Sequence, residues 1–145
     1  GAGKFRGGAG VVKSQRYLTP GFMTHESDRN EDRPWGIFGG KEGHCSVVEL
    51  RNDRTGKLEY QPAKFSGLRT EEGDVITYYS PVGGGYGNPL EREPAKVLDD
   101  VLDGIISVEH ARSDYGVVLR EVDDGYGWAL NVEATTKLRS EMGRQ

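Results

Sequence analysis

Apolar positions along the chain follow two different periods: short alternating or β-branched runs through residues 1–90, then recurrences three and four residues apart in 91–145. The first regime predicts strands and the second helices. Val11 to Leu18 and Phe22 to Ser27 read as strands joined by Thr19-Pro20-Gly21, a Pro-Gly turn that predicts a hairpin. Cys45 to Asn52 alternates as a strand, and Lys57 to Gln61 is placed to pair with it across Asn52-Asp53-Arg54-Thr55-Gly56. Phe65 to Leu68 fits either period, whereas Val75-Ile76-Thr77-Tyr78-Tyr79 is the clearest β run in the chain. Ser27 to Gly43 is too long and too rich in glycine for one regular element, and its Trp35, Ile37 and Phe38 predict an ordered loop that displays apolar area for a partner.

Beyond residue 90, Pro94 suits a first helical turn. Val97, Leu98, Val101 and Leu102 share a face before Gly104 stops the helix. A second helix is predicted with Ser107 as N-cap, Val108, Ala111 and Tyr115 on one side, and Gly116 at its end. Val117 to Val122 reads as a strand, Asp123-Asp124-Gly125 as a turn, and Asn131 as the cap of a last helix running through Leu138 towards Met142. The fold class is therefore α+β: a β-rich part with long glycine-rich loops, followed by a helical hairpin, a strand and a helix. At 145 residues this fits a single domain, 1–145, with 1–90 β-rich and 91–145 mostly helical.

Between the strongest strand and the first helix lies Ser80-Pro81-Val82-Gly83-Gly84-Gly85-Tyr86-Gly87-Asn88-Pro89-Leu90. Consecutive glycines permit positive φ and close approach to a neighbour, so two readings stand side by side. Successive N–H groups could cradle an anion, or the glycines could pack a tight turn under other backbone. A second glycine-rich stretch, Gly1 to Gly10, carries Lys4 and Arg6, but Phe5 follows Lys4 where a phosphate-binding loop needs Ser or Thr. Lys4, Arg6, Arg29 and Lys41 share this setting of bases among glycines, which predicts that they converge on Gly83, Gly84 and Gly85 as an anion- or intermediate-binding set.

Composition narrows the function classes. A net charge of −4 disfavours a protein that reads nucleic-acid backbone, because such proteins concentrate Lys and Arg. Cys45 is the one cysteine, which rules out an internal disulfide and Cys-x-x-Cys metal spacing and points to a reducing, cytoplasmic setting. No apolar run reaches bilayer-spanning length, so no membrane partner is expected. His25, His44 and His110 fall in separate predicted environments, and no metal site is expected in this chain. Cys45 beside His44 reads as an inert buried thiol rather than a nucleophile pair. No catalytic residue emerges. Opening on Gly1-Ala2-Gly3-Lys4 without Met, the chain reads as the interior of a longer polypeptide.

Four blocks, in order, carry a resemblance: Gly1 to Gly8; Ser27-Asp28-Arg29 leading to Pro34-Trp35-Gly36 and Gly39-Gly40-Lys41; Gly83 to Arg92; and Val108-Glu109 through Tyr115-Gly116-Val117-Val118. Together they resemble the C-terminal part of the hydantoinase B/oxoprolinase family. The resemblance implies a subunit or fragment of an ATP-dependent enzyme. Such enzymes hydrolyse cyclic amides, as hydantoinases and 5-oxoprolinases do, or carboxylate ketones, as acetone and acetophenone carboxylases do. It implies a hetero-oligomer with a hydantoinase A-type subunit and the rest of a hydantoinase B-type subunit. ATP and a divalent metal are implied for the complete enzyme and no cofactor for this chain alone, since the family's metal-binding acidic and histidine residues lie in a region absent here. The alternative, from a different class, is a non-catalytic β-rich scaffold or binding module.

Overall fold

The computed structural model describes residues 1–122 and 127–144. They fall into two compact units assembled from alternating stretches of chain: Gly8–Pro34 with Gly43–Gly83, and Gly1–Gly7 with Trp35–Glu42 and Gly84–Gln145. We call them the strand unit and the helix unit.

The strand unit contains β1 (Val12–Arg16), β2 (Gly21–Glu26), β3 (Val47–Asn52), β4 (Leu58–Gln61), β5 (Lys64–Thr70) and β6 (Asp74–Tyr79). Four of them form an antiparallel sheet in the order β1-β6-β3-β4, and β2 pairs with β5 in a second, two-stranded sheet. Alternation decides what is buried: Val48 and Leu50 on β3 and Ile76 on β6 point inward and pack with Met23, Phe65, Leu68 and Tyr78. The expected β3–β4 hairpin is present, with Leu50 opposite Glu59 and Arg51 opposite Leu58. Asn52 builds its turn by accepting the Arg54 and Thr55 N–H groups on Oδ1 at 3.1 and 3.0 Å. Phe65 to Leu68, left open by its pattern, is strand, and Gly67 at φ +66° sits where the β2–β5 register slips between Met23 and His25.

The hairpin expected between residues 11–18 and 22–27 does not form. β1 pairs instead with β6, Ser14 opposite Thr77, and β2 with β5, so the Thr19-Pro20-Gly21 turn carries the chain from one sheet to the other. Tyr17 fixes the departure: its N–H donates to Asp74 O at 2.8 Å and its carbonyl accepts from Gly73 at 2.9 Å. The long-range ladder of β6, which has a partner on both edges, outweighs the local turn signal. The third strand also starts later than Cys45, at Val47, and Cys45 is a half-buried free thiol rather than a buried one.

In the helix unit, Asn88 caps a single 3₁₀ turn at Pro89–Glu91, followed by α1 (Pro94–Leu102), α2 (Val108–Tyr115), β7 (Leu119–Glu121), β8 (Trp128–Leu130) and α3 (Val132–Met142). The caps fall where their chemistry predicts: Ser107 Oγ accepts from His110 N, Asn131 Oδ1 accepts from Ala134 N, and Gly116 is left-handed at φ 62°. Val97, Ala111, Tyr115 and Val117 are the fully buried centre, joined by Ala2 from the first glycine-rich segment. Leu102, expected on the buried face of α1, is exposed, and Asp100 is buried in its stead. The pairing of β7 with β8 has no counterpart in the sequence pattern, and the predicted Asp123-Asp124-Gly125 turn lies outside the described residues.

Candidate functional site

The glycine-rich segments of the helix unit form a woven layer. Residues 84–88 run in the middle: Tyr86 and Phe5 exchange both N–H···O bonds at 2.9 and 3.0 Å on one side, while Ile37 N donates to Gly85 O at 2.9 Å and Gly87 N to Ile37 O at 2.8 Å on the other. Lys41 ties the outer segments together, its N–H donating to Ala2 O at 2.7 Å and its carbonyl accepting from Gly85 at 2.9 Å. A Cβ on Gly84 would lie 1.9 Å from Trp35 O, one on Gly85 2.0 Å from Ala2 O, and one on Gly40 2.1 Å from Gly85 O. Neither Gly84 nor Gly85 has positive φ. Close approach of backbone to backbone is what these positions require. Of the two readings left open by the sequence, packing under other backbone accounts for the glycines, and the Gly85, Tyr86 and Gly87 N–H groups are already bonded to carbonyls.

Lys4, Arg6 and Lys41 all belong to this unit, and each holds a carboxylate. Lys4 Nζ lies 3.0 Å from Glu91 Oε2 and Lys41 Nζ 2.7 Å from Asp114 Oδ1, both exposed. Arg6 enters a buried cluster, with Nε 3.2 Å from Asp100 Oδ1 while Arg92 Nη2 stands 2.9 Å from Asp100 Oδ2. Arg92 also donates from Nη1 to Lys4 O at 3.3 Å, so the two guanidinium groups and Asp100 fasten the first segment to α1. In these pairs four bases meet three carboxylates, which leaves one positive charge in excess. Arg139 braces the same corner from α3, donating to Tyr115 O at 2.9 Å and Arg92 O at 2.7 Å. Burial pushes the Tyr115 phenol above its ordinary range. Sequence reasoning misses Asp100, Arg92 and Arg139; the one signal pointing to Asp100 is its position three residues after Val97, on the buried face of α1.

Arg29 and Gly83 belong to the strand unit. Arg29 is held at φ 61°, uncommon for a residue with a side chain, and its carbonyl accepts from Ser46 N at 2.8 Å. Gly83 N donates to Gly8 O at 3.2 Å. A cleft of about 240 Å³ in the same unit is lined by Leu50, Lys57, Glu59, Arg69, Glu71 and Asp74 among others, but its charges are matched internally: Lys57 to Glu59, Arg69 to Glu71, and Asp74 to the Asn52 amide and the Glu71 N–H. His25 is half-buried beside Phe65 and Tyr78, with ring centroids 5.6 and 5.2 Å away. Among the described residues no group of three or more His, Cys, Asp or Glu side chains is arranged to hold a metal ion, and no helix is long and apolar enough to cross a membrane.

The woven layer also carries aromatic groups. Tyr86 lies 6.2 Å from the Phe5 ring and 5.3 Å, edge-on, from that of Phe38, and Phe5, Ile37, Phe38 and Tyr86 are all exposed, Phe38 to 78%. The expected display of apolar area on the long loop is therefore present.

Compared with known proteins, residues 1–89 match the family model described as Hydantoinase B/oxoprolinase. A protein of Pseudomonas sp. (strain NS671), named as a candidate B-type subunit of a D-/L-hydantoinase, is 38% identical over 94% of this chain and 22% of its own length. The crystal structure of an ATP-dependent caprolactamase from Pseudomonas jessenii superposes with a TM-score of 0.78 at 30% identity, over 96% of this chain and 24% of that one. A nucleotide-free acetone carboxylase shares the fold, with a TM-score of 0.75 at 19% identity over 99% of this chain and 23% of that one. The chain thus spans about a quarter of the length of each of these three proteins.

Proposed function

The chain belongs to the hydantoinase B/oxoprolinase family, and from that premise we propose that it is the C-terminal piece of a hydantoinase B-type subunit in an ATP-dependent, cytoplasmic enzyme complex that opens cyclic amides. The observation that carries the reading is the fold-wide match to an ATP-dependent caprolactamase at 30% identity. Carboxylation of a ketone is the second reading, favoured by the shared fold with acetone carboxylase. A hydantoinase A-type subunit and the remainder of the B-type subunit complete the assembly.

The N–H groups of Gly85, Tyr86 and Gly87 are committed to carbonyls, and among the described residues no cluster of acidic, histidine or cysteine side chains is arranged for a cation. In this reading ATP and a divalent metal belong to the rest of the assembly, as the family resemblance implies. This chain's part is to bind and orient. Lys4 and Lys41 hold exposed ion pairs worth about 0–1 kcal/mol, so either can exchange its carboxylate for an anionic intermediate at little cost. Arg6 is fixed in the buried cluster and supports the layer, and Gly84 and Gly85 shape it by allowing the segments to approach. On the strand unit, Arg29 in its left-handed conformation and Gly83 are the residues proposed to contribute to anion binding.

The test is turnover by the complete assembly, with and without this chain, on hydantoin, 5-oxoproline and caprolactam, and on acetone or acetophenone with labelled bicarbonate. ATP-dependent ring opening that vanishes without the chain is expected; label fixed into a ketone selects the second reading. Activity that persists in full without the chain makes it a non-catalytic module. Arg29→Ala and Lys41→Ala should lower turnover at least tenfold with the thermal midpoint nearly unchanged; equal losses of both would make these residues structural.

A further inference from the structure

Ile37 to Gly40 form a tight turn, closed by Gly40 N donating to Ile37 O at 3.0 Å, with both central residues at positive φ: Phe38 at 51° and Gly39 at 88°. Turns of this kind take Asn, Asp or Gly at the first central position, because a bulky side chain is strained there. Here a phenylalanine occupies it and gains little burial, since its ring is 78% exposed and rests edge-on against Tyr86. Strain of this kind persists only where the surrounding structure enforces it, and it clusters at functional sites. With Phe5 and Ile37 alongside, the rings make one contiguous apolar face on the helix unit.

We propose that this face, centred on Phe38 and Tyr86, is the seat of an apolar segment of the polypeptide that supplies the rest of the hydantoinase B-type subunit. The inference rests on the functional reading above. Two observations select this occupant. The chain matches 22% of the hydantoinase-type relative and 24% of the caprolactamase, which leaves most of such a subunit outside it to be accommodated somewhere. The face itself is built of Phe5, Ile37, Phe38 and Tyr86, and the bases nearest them in sequence, Lys4, Arg6 and Lys41, each hold a carboxylate, so its chemistry suits an apolar segment.

Photo-crosslinking tests this directly. A benzoyl-phenylalanine at position 38 of the chain, made in cells that also produce the hydantoinase A-type and B-type polypeptides, should form a cross-link. Peptide mapping should place it in a B-type polypeptide, outside the region that this chain matches. A cross-link to a second copy of this chain or to the A-type subunit, or none above that from the same group at exposed Leu18, overturns the proposal. A second variant guards against a purely structural role. Phe38→Gly relieves the positive φ, so the chain should melt at the same or a higher temperature while its affinity for the B-type polypeptide purified from those cells falls at least tenfold. Unchanged affinity, or affinity and melting temperature falling together, also overturns it. An assembly that cross-links as expected but turns over neither cyclic amides nor ketones sinks the functional reading and leaves the interface standing.

Discussion

The strand unit and the helix unit both contain many glycines, and the turns of the first and the woven layer of the second show two different uses of the residue. In the strand unit Gly56, Gly67 and Gly73 stand at φ +69°, +66° and +89° in turns and a bulge, and Cβ atoms on Gly56 and Gly67 would meet nothing within 4 Å. In the helix unit Gly84, Gly85 and Gly40 have ordinary φ, and a Cβ would collide with a carbonyl oxygen about 2 Å away. One set supplies conformation and the other supplies room. Gly43 of the strand unit follows the second pattern with Val82 O at 1.8 Å, and Gly39, Gly87, Gly104 and Gly116 of the helix unit follow the first at φ 88°, 74°, 69° and 62°, so the distinction tracks local backbone and not the boundary between units. Glycine-rich composition alone is thus a poor guide to ligand binding: the same residue type serves a turn, a bulge and a backbone crossing in one chain.

Substitution can break this contrast or sharpen it. Both tryptophans, Trp35 and Trp128, lie in the helix unit, so indole fluorescence reports its unfolding separately from the strand unit. Gly85→Ala should have the largest effect, on the order of 4 kcal/mol or more, because rigid backbone surrounds the site and overpacking there has no flexible side chain to displace. Asp100→Asn should follow, costing roughly 3 kcal/mol in the same fluorescence transition, since Arg6 and Arg92 would be left buried without their shared counter-charge. Gly56→Ala should cost only about 1–2 kcal/mol, the strain of a left-handed alanine, and should leave the indole signal alone. A Gly85→Ala protein as stable as Gly56→Ala would erase the contrast.

The smallest effect should come from alkaline pH. Tyr115 ionises less readily in the folded chain because it is buried, so its contribution is intact below the unfolded tyrosine value of about 10 and is lost as pH rises from there through the raised folded value. The helix unit's melting temperature should therefore fall above about pH 10, and Tyr115→Phe should flatten that fall. An unaltered alkaline slope in the variant would assign the loss to other groups.

What could be read in advance divides along the same line. Local signals survived folding: the caps at Ser107 and Asn131, the stop at Gly116, the β3–β4 turn and the β6 run are where the chain's chemistry puts them. Partners distant in sequence did not announce themselves. Nothing in Thr19-Pro20-Gly21 says that β1 belongs to β6, and nothing in Lys4 or Lys41 names Glu91 or Asp114. The motif blocks identified the family because their spacing is specific, whereas Asp100 escaped because a lone aspartate on a helix reads as solvent-facing. Its burial becomes intelligible only once Arg6 and Arg92 arrive from elsewhere in the chain.

The alternating assembly of the two units has a consequence for the order in which they can form on a ribosome. The chain passes from one unit to the other after Gly7, Pro34, Glu42 and Gly83. By the time Gly83 has left the exit tunnel, every residue of the strand unit has been made, while the helix unit possesses only Gly1–Gly7 and Trp35–Glu42. Those two stretches share the Lys41–Ala2 bond but lack their bonds to Gly85, Tyr86 and Gly87 until those residues emerge. The interval is set by translation, at roughly 5–20 residues per second. A pause engineered just upstream of the Gly84 codon would lengthen the window in which a chaperone, or a neighbouring nascent chain, can claim those segments first.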